Sequence, residues 1–256
     1  MEWIPRHRPH PLQRKVRPLS DKKLTAAKRA FAEMEATGVI RCSSSPWSSP
    51  LHMVRKKDGG WRPCGDYRRL NQCTVPDRYP IPLISDAQFY SMGCKVFSVI
   101  DLKAGCNQIP MHTNSIPKTA FITPFGLFEW TKMPFGLMNS GCTFQRTIHE
   151  VLRDLPYLFI YSDDILVGSA TLQEHEQHLR EVFTRLQENC LTINLKKCIL
   201  AKPTMTFLGH TVDSEGIHPL PEKVDAIKQF PLPSSKLDVS ETPRHGEFLS
   251  PIPSPP

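Results

Sequence analysis

The sequence predicts an α+β fold with a mainly antiparallel sheet. Three observations carry that expectation. Two short apolar runs, 158–161 and 165–167, flank Ser162, Asp163 and Asp164 and read as a β-hairpin. Helical patterns alternate with strand patterns, the clearest being "LQEHEQHLREVFTRLQENC" (172–190), with Leu179, Val182, Phe183 and Leu186 on one face. Several strand candidates lie close together around short turns, which suits antiparallel neighbours.

Each element follows from local chemistry. Residues 1–18 are rich in Pro and Arg without periodicity and are expected to be disordered. In "LSDKKLTAAKRAFAEMEATGVI" (19–40), Ser20 suits an N-cap, Ala and Lys favour helix, and Gly38 ends it. "RCSSSPWSSP" (41–50) is a Ser/Pro loop. "LHMVRKKDGGWRPCGDY" (51–67) reads as a hairpin turning at Lys-Asp-Gly-Gly. A Pro-punctuated connector over 74–82 leads to a helix over 83–92. "KVFSVIDL" (95–102) is a strong strand signal, with Asp101 near its C-terminal end. Two strands around Gly126 fill much of 119–137, and a helix covers 139–155. Strands are expected over 191–200 and 205–213, and a helix at about 221–230.

Composition narrows the class. The chain has 256 residues, 39% hydrophobic and 22% charged, enough for one large domain or two lobes. No apolar run approaches the roughly 18–20 residues of a membrane span. The basic N-terminus lacks the apolar stretch of a secretory signal. Eight cysteines contain no Cys-x-x-Cys pair, which disfavours a zinc ribbon or thioredoxin-type motif. They read as reduced thiols of an intracellular protein, cytoplasmic or nuclear, without a membrane partner. Net charge is +7, but residues 1–30 hold nine Lys/Arg against two acids, leaving 23 of each elsewhere. Overall basicity is therefore a weak argument that the folded part binds nucleic acid; local clusters such as "RKKDGGWR" (55–62) and "DYRRLN" (66–71) carry more weight.

Asp163 and Asp164 pose the chemical question. Adjacent acids suit a plain hairpin turn, because Asp bonds nearby backbone N–H groups. They also suit a cation: like charges repel, and a divalent ion removes that penalty while preferring hard oxygens. The metal reading needs a third acid, and Asp101 is the one other acid at the end of an apolar strand near a Gly-containing turn. If that strand pairs beside the hairpin, three carboxylates converge. His175 and His178, three apart on a helix, lack a third ligand at metal spacing and read as a packed or solvated face.

Longer motifs then meet in order: "WRPCGDYRRLN", "VFSVIDLKAGCNQIP", "IPKTAFITPFGLFEW", "MPFGLMNSGCTFQR", "YSDDILVGS", "INLKKC" and "FLGHTVDSEGIHPLPEKVDAI". Together they resemble reverse transcriptases of Ty3/gypsy-type LTR retrotransposons, over about 19–233. The resemblance implies a right-hand polymerase, with fingers at 19–95 and 111–130, a palm at 96–110 and 131–230, and the thumb absent. It implies RNA-directed DNA polymerase activity with Mg²⁺ or Mn²⁺, a primer on an RNA or DNA template, and dNTPs. Asp101, Asp163 and Asp164 match the catalytic, metal-holding carboxylates. Lys56, Arg62, Leu102 and Cys106 match nucleotide-binding positions. Phe207, Leu208 and Gly209 match the primer grip. Trp47, Asp66 and Arg68 lie in family motifs assigned to structure and template contacts.

Departures from the pattern support an alternative, a catalytically degraded remnant that at most binds nucleic acid. Cys106 stands where the family has an aromatic ring beneath the sugar, and Ser162 where it has an apolar residue. After "AIKQFPLPSSK" the family pattern of a thumb stops. Codons chosen for 244–253 and read one base later give G-M-V-N-F-Y-R-R-F, the family's thumb sequence. The tail 231–256 is therefore expected to be out of frame and disordered, with the thumb, connection and RNase H regions of the parent polyprotein missing. Phe207, Leu208, Val224 and Ile227 are then expected to be exposed.

Overall fold

The computed structural model describes residues 10–55 and 59–228, with backbone alone at 223 and 226–228. Helix α1 (Asp21–Ala36) begins after an extended Ser20, whose carbonyl takes the Leu24 N–H at 2.9 Å while its hydroxyl makes no cap bond. It ends at Gly38, φ 68°, with Gly38 N–H on Glu35 O and Val39 N–H on Met34 O, the paired bonds of a Schellman end. Strands β1 (Ile40–Cys42), β2 (Ser49–Arg55) and β3 (Trp61–Gly65) precede a short helix α2 (Arg68–Gln72). The helix expected over 83–92 forms as a 3₁₀ turn, Ile84–Asp86, and α3 (Ala87–Ser91). β4 (Val96–Asp101), β5 (Phe121–Thr123), β6 (Gly126–Trp130) and α4 (Ser140–Val151) come next. The acidic hairpin is β7 (Leu158–Tyr161) and β8 (Asp164–Ser169). Helix α5 (Leu172–Glu188) is capped by the Thr171 hydroxyl, which accepts the Glu174 N–H.

Only the end of the strand expected over 191–200 forms, as β9 (Ile199–Lys202). Asn194 donates its N–H to Asp101 O, and the Lys197 and Cys198 N–H groups turn back onto Asn194 O. Those bonds make a turn, not a ladder. β10 (Met205–Phe207), β11 (His210–Asp213), β12 (Gly216–Pro219) and α6 (Pro221–Lys228) complete the described chain.

The described residues fall into two compact units, 10–55 and 59–81 with 103–150, and 82–102 with 151–228. The first holds a five-stranded sheet in the order β1-β6-β5-β2-β3, antiparallel except for the β2–β5 pair. Helix α1 presses Phe31 onto Phe121, Phe125 and Phe128, with ring centroids 5.3, 5.0 and 4.9 Å away. Of the segment expected to be disordered, residues 10–18 are described, and they are tied to this unit. Gln13 bridges Ser48, and the Arg17 guanidinium pairs with Asp66 at 2.7 Å.

The second unit holds a four-stranded antiparallel sheet, β7-β8-β4-β9, and a three-stranded one, β10-β11-β12. Phe97 and Val99 of β4 and Leu166 of β8 share a core with Phe159, Met205, Phe207 and Val212. The opposite face buries His175, Val182 and Leu186 of α5. Side chains alternate across a strand, so Asp101 continues the face of Phe97 and Val99, and Asp164 that of Leu166.

The unit boundaries differ from those expected. Residues 131–150 join the first unit because Arg146 forks onto Asp77 at 2.8 and 2.7 Å, Tyr79 Oη bonds His149 Nδ1 at 3.0 Å, and Asn139 donates to Val75 O. Residues 103–110 join it as well, Met133 donating to Ile109 O. Residues 82–95 join the second, where Tyr90 packs on Phe159. The tail 231–256 and Lys56 lie outside the described residues.

Candidate catalytic site

Asp101 and Asp164 are register partners at the ends of β4 and β8. The next pair along is hydrogen-bonded, Leu102 N–H to Asp163 O at 3.2 Å, so Asp101 and Asp164 form a non-bonded pair, the type that holds side chains closest. Tyr161 and Asp164 close β7–β8 around a two-residue loop of Ser162 and Asp163. Ser162 has φ 52°, positive as the first loop position of a tight hairpin demands. The sequence thus puts Asp164 in the sheet and Asp163 on the turn.

Electrostatics follow from this packing. Burial, and then the Asp101 charge, push the Asp164 carboxyl above the usual carboxylate range, while Lys197 pulls it back. Lys197 Nζ lies 3.3 Å from Asp101 Oδ2. Its position is set by backbone: Asn194 N–H is anchored on Asp101 O at 2.8 Å, and Lys197 N–H on Asn194 O at 2.9 Å. The "INLKKC" motif had no assigned role, and sequence reasoning did not place its Lys197 beside the Asp101–Asp164 pair. No local signal marked it, because the Leu102–Ile193 bridge that brings its segment to the Asp101 strand end joins positions far apart in sequence.

The donor chemistry fits a hard divalent cation, since Asp101 and Asp164 are facing carboxylates with a repulsion to relieve. Asp163 Oδ1 is buried, and its residue keeps other interactions. Among the described residues no group of three His, Cys, Asp or Glu is arranged to hold a metal ion.

Other expected residues are placed as follows. Leu102 is buried and bridges Ile193, so its side chain packs the strand end. Cys106 is 5% exposed, on a 3₁₀ turn Gly105–Gln108 that follows Ala104 at φ 49°. Arg62, on β3 opposite Val54, stacks its guanidinium over Phe135, 5.3 Å from the ring centroid. Leu208 and Gly209, φ 46° and 74°, form the two-residue loop between Phe207 and His210, a type I′ hairpin. Phe207, expected at the surface, is 2% exposed because it packs edge-on against Phe159 at 6.0 Å. Leu208 and Val224 are half-buried, and the side chain of Ile227 is not described. Asp66 is bound by Arg17 and Arg68, which hold its carboxyl well below the usual range. His175 is no metal ligand: Ser98 Oγ is 2.6 Å from its Nε2 and Ser169 Oγ 2.8 Å from its Nδ1.

The fold is that of viral reverse transcriptases. A foamy viral protease–reverse transcriptase in complex with double-stranded DNA superposes with TM-score 0.84 and 26% identity, over 94% of this chain and 42% of that one. The same enzyme type bound to an RNA/DNA hybrid gives 0.80 and 25%, over 94% and 32%. Residues 54–212 match the family described as reverse transcriptase (RNA-dependent DNA polymerase), and the chain belongs to that family. Its curated relatives are retroelement Pol polyproteins. That of transposon 297 of Drosophila melanogaster is 40% identical over 236 residues, 90% of this chain and 22% of the relative. That of transposon gypsy of Drosophila melanogaster is 34% identical, over 77% and 20%. The Tf2-3 polyprotein of Schizosaccharomyces pombe is 30% identical, over 88% and 17%. The chain spans about a fifth of the length of these relatives. Among the described residues no helix is long and apolar enough to cross a membrane.

Proposed function

We propose that this chain carries the fingers (19–95 and 111–130) and the palm (96–110 and 131–230) of an RNA-directed DNA polymerase. The reaction is in-line attack of a primer 3′-hydroxyl on the α-phosphorus of a dNTP, releasing pyrophosphate. The observation that carries this reading is the Asp101–Asp164 register pair, two carboxylates facing each other at adjoining strand ends, where burial and the Asp101 charge raise the Asp164 pKa.

Asp101, Asp163 and Asp164 would hold Mg²⁺ or Mn²⁺, which supplies a lowered 3′-hydroxyl pKa and charge neutralisation at the phosphates. The chain's own residues do the remainder. Lys197 sits on Asp101 and limits the charge of the facing acids. Arg62, with Lys56, would grip triphosphate oxygens, the guanidinium offering forked bonds that an ammonium cannot. Leu102 would fix the strand end beside the nucleotide, and Cys106 would lie beneath the sugar. The Leu208–Gly209 turn, with Phe207 as its buried anchor, would present backbone to the primer end.

A second reading, a remnant that binds nucleic acid without catalysis, is favoured by the lack of a compact three-acid cluster among the described residues. Primer extension on a primed RNA template, with Mg²⁺ and then Mn²⁺, separates the two. Extension by the wild-type chain that is abolished in Asp101→Asn and Asp163→Asn supports the polymerase. Binding without extension leaves the remnant. Activity surviving in either variant means the site lies elsewhere.

A further inference from the structure

Asn71 holds a loop of the first unit through both ends of its amide. It lies on α2, whose start is pinned: Tyr67 is buried, its hydroxyl donates to Thr119 O at 2.8 Å, and Asn71 N–H returns to Tyr67 O at 2.7 Å. From that base Asn71 Nδ2 donates to Gly136 O, and its Oδ1 accepts the Met138 N–H, both at 2.9 Å. One amide thus satisfies a carbonyl and an N–H two residues apart, as a neighbouring strand would. Ser140 Oγ donates to Pro134 O at 2.9 Å and fixes the other end of the loop. Gly136 has φ 90°, so the loop turns where a Cβ would be strained.

Phe135 lies between these anchors and is half-buried. The Arg62 guanidinium rests over its ring, 5.3 Å from the centroid. Arg62 is exposed, and among the described residues no carboxylate lies within ion-pair distance of it. A ring holds a guanidinium by its face and leaves the N–H edge for other partners. An edge held that way loses less rotamer freedom when it meets an anion.

We propose that Asn71 is a positioning residue for the triphosphate: its amide sets the 134–138 loop, the loop sets the Phe135 ring, and the ring holds the Arg62 guanidinium ready for phosphate oxygens. Asn71 touches no substrate in this role, which rests on the polymerase reading that Arg62 meets the nucleotide.

The test is a double-mutant cycle between Asn71 and Arg62 in the full chain, with two readouts. One is kcat and KM for dTTP in extension of oligo(dT) on poly(rA). The other is the Kd for inorganic tripolyphosphate by calorimetry, which needs no turnover. Asn71→Ala is expected to raise the dTTP KM and the tripolyphosphate Kd by about ten-fold, with kcat held within about two-fold. In an Arg62→Ala background the same change should move neither by more than about two-fold, because Asn71 acts only through that guanidinium. Phe135→Leu keeps the clamp and removes the ring face. It should give the same rise, lost again beside Arg62→Ala, and it carries the cycle if Asn71→Ala does not fold. Equal rises with and without Arg62 overturn the proposal, as does a fall in kcat at unchanged KM. So does a Phe135→Leu variant that binds like wild type, or a rise confined to the KM for primer–template, which would make Asn71 a strand contact. Coupling in tripolyphosphate binding without any extension counts against the polymerase reading alone. Extension without coupling counts against the positioning role alone, and a wild type that neither extends nor binds tripolyphosphate overturns both.

Discussion

Lys197 and Asp101 meet at 3.3 Å across 96 positions of sequence, and the contact is made by backbone before it is made by charge. The Asn194 N–H on Asp101 O fixes the turn, and the turn delivers the ammonium. Lys197 is 68% exposed, so the pair contributes only about 0.5 kcal/mol to stability. Its effect is on its neighbour. Lys197→Met removes the one influence that lowers the Asp164 pKa. The acid limb of the pH–rate profile for primer extension should therefore move to higher pH, with thermal stability nearly unchanged. A profile that does not move would separate Lys197 from the chemistry.

Asp164 itself carries a stability prediction. Its folded pKa is raised, so the unfolded state gives up the proton first as pH rises. Folding is favoured by this group below its unfolded pKa of roughly 3.9, and that advantage is lost as pH passes the folded value. Asp164→Asn should abolish extension yet raise the melting temperature at pH 7, with the difference shrinking toward pH 4. Calorimetry across that range checks the sign.

The buried histidine gives the opposite slope. Ser98 Oγ accepts the Ala201 N–H at 2.9 Å and lies 2.6 Å from His175 Nε2. With the Ser98 proton on that bond, His175 would carry its own proton on Nδ1 toward Ser169 Oγ, which also meets His178 Nδ1 at 2.8 Å. Burial lowers the His175 pKa, as the His178 charge also does, with Glu174 opposing. Stability is complete above the unfolded pKa of roughly 6.5 and falls as pH drops below it toward the folded value. Nitrogen-15 shifts should show His175 protonated at Nδ1 at pH 7.5. His175→Ala removes one of two partners from each of the buried Ser98 and Ser169 hydroxyls and should cost about 1–3 kcal/mol by urea unfolding.

The hairpin at Leu208–Gly209 demands positive φ at both residues. Gly209→Ala forces a Cβ into that region and should cost about 1–2 kcal/mol. Extension should fall by more than the folded fraction does if the turn positions the primer.

Cys106→Tyr tests the sugar-side reading with two separable outcomes. Cys106 is 5% exposed, so added bulk should cost about 1–3 kcal/mol of stability. If the position senses the sugar, the preference for dNTPs over rNTPs should rise by at least ten-fold, a change of about 1.4 kcal/mol. An unchanged preference in a folded variant removes Cys106 from the nucleotide site.

The strands bearing Asp101 and Asp164 were legible because each acid ends a clean apolar run, and the register pair follows from that pattern. The helices 21–36 and 172–188 were legible from caps and periodicity. What could not be read was held by distant partners. Residues 12–17 look like a disordered Pro/Arg segment, since their order comes from Ser48 and Asp66. Residues 191–198 look like a strand, but after the single bridge of Ile193 to Leu102 the Lys197 and Cys198 N–H groups close a turn on Asn194 O. Lys197 as a site residue, and the grouping of 131–150 with the first unit, depend on the same kind of long-range bond.

Strand β9 closes one side of the palm-type sheet, and all four of its residues are exposed. A free sheet border of this kind recruits further strands from neighbouring molecules unless something interrupts it. Here the interruption is Lys202 followed by Pro203, a charge and then a residue with no N–H to lend. Two adjacent residues at this border therefore oppose sheet growth from one molecule to the next, and replacing Lys202 and Pro203 with Val should increase edge-to-edge self-association.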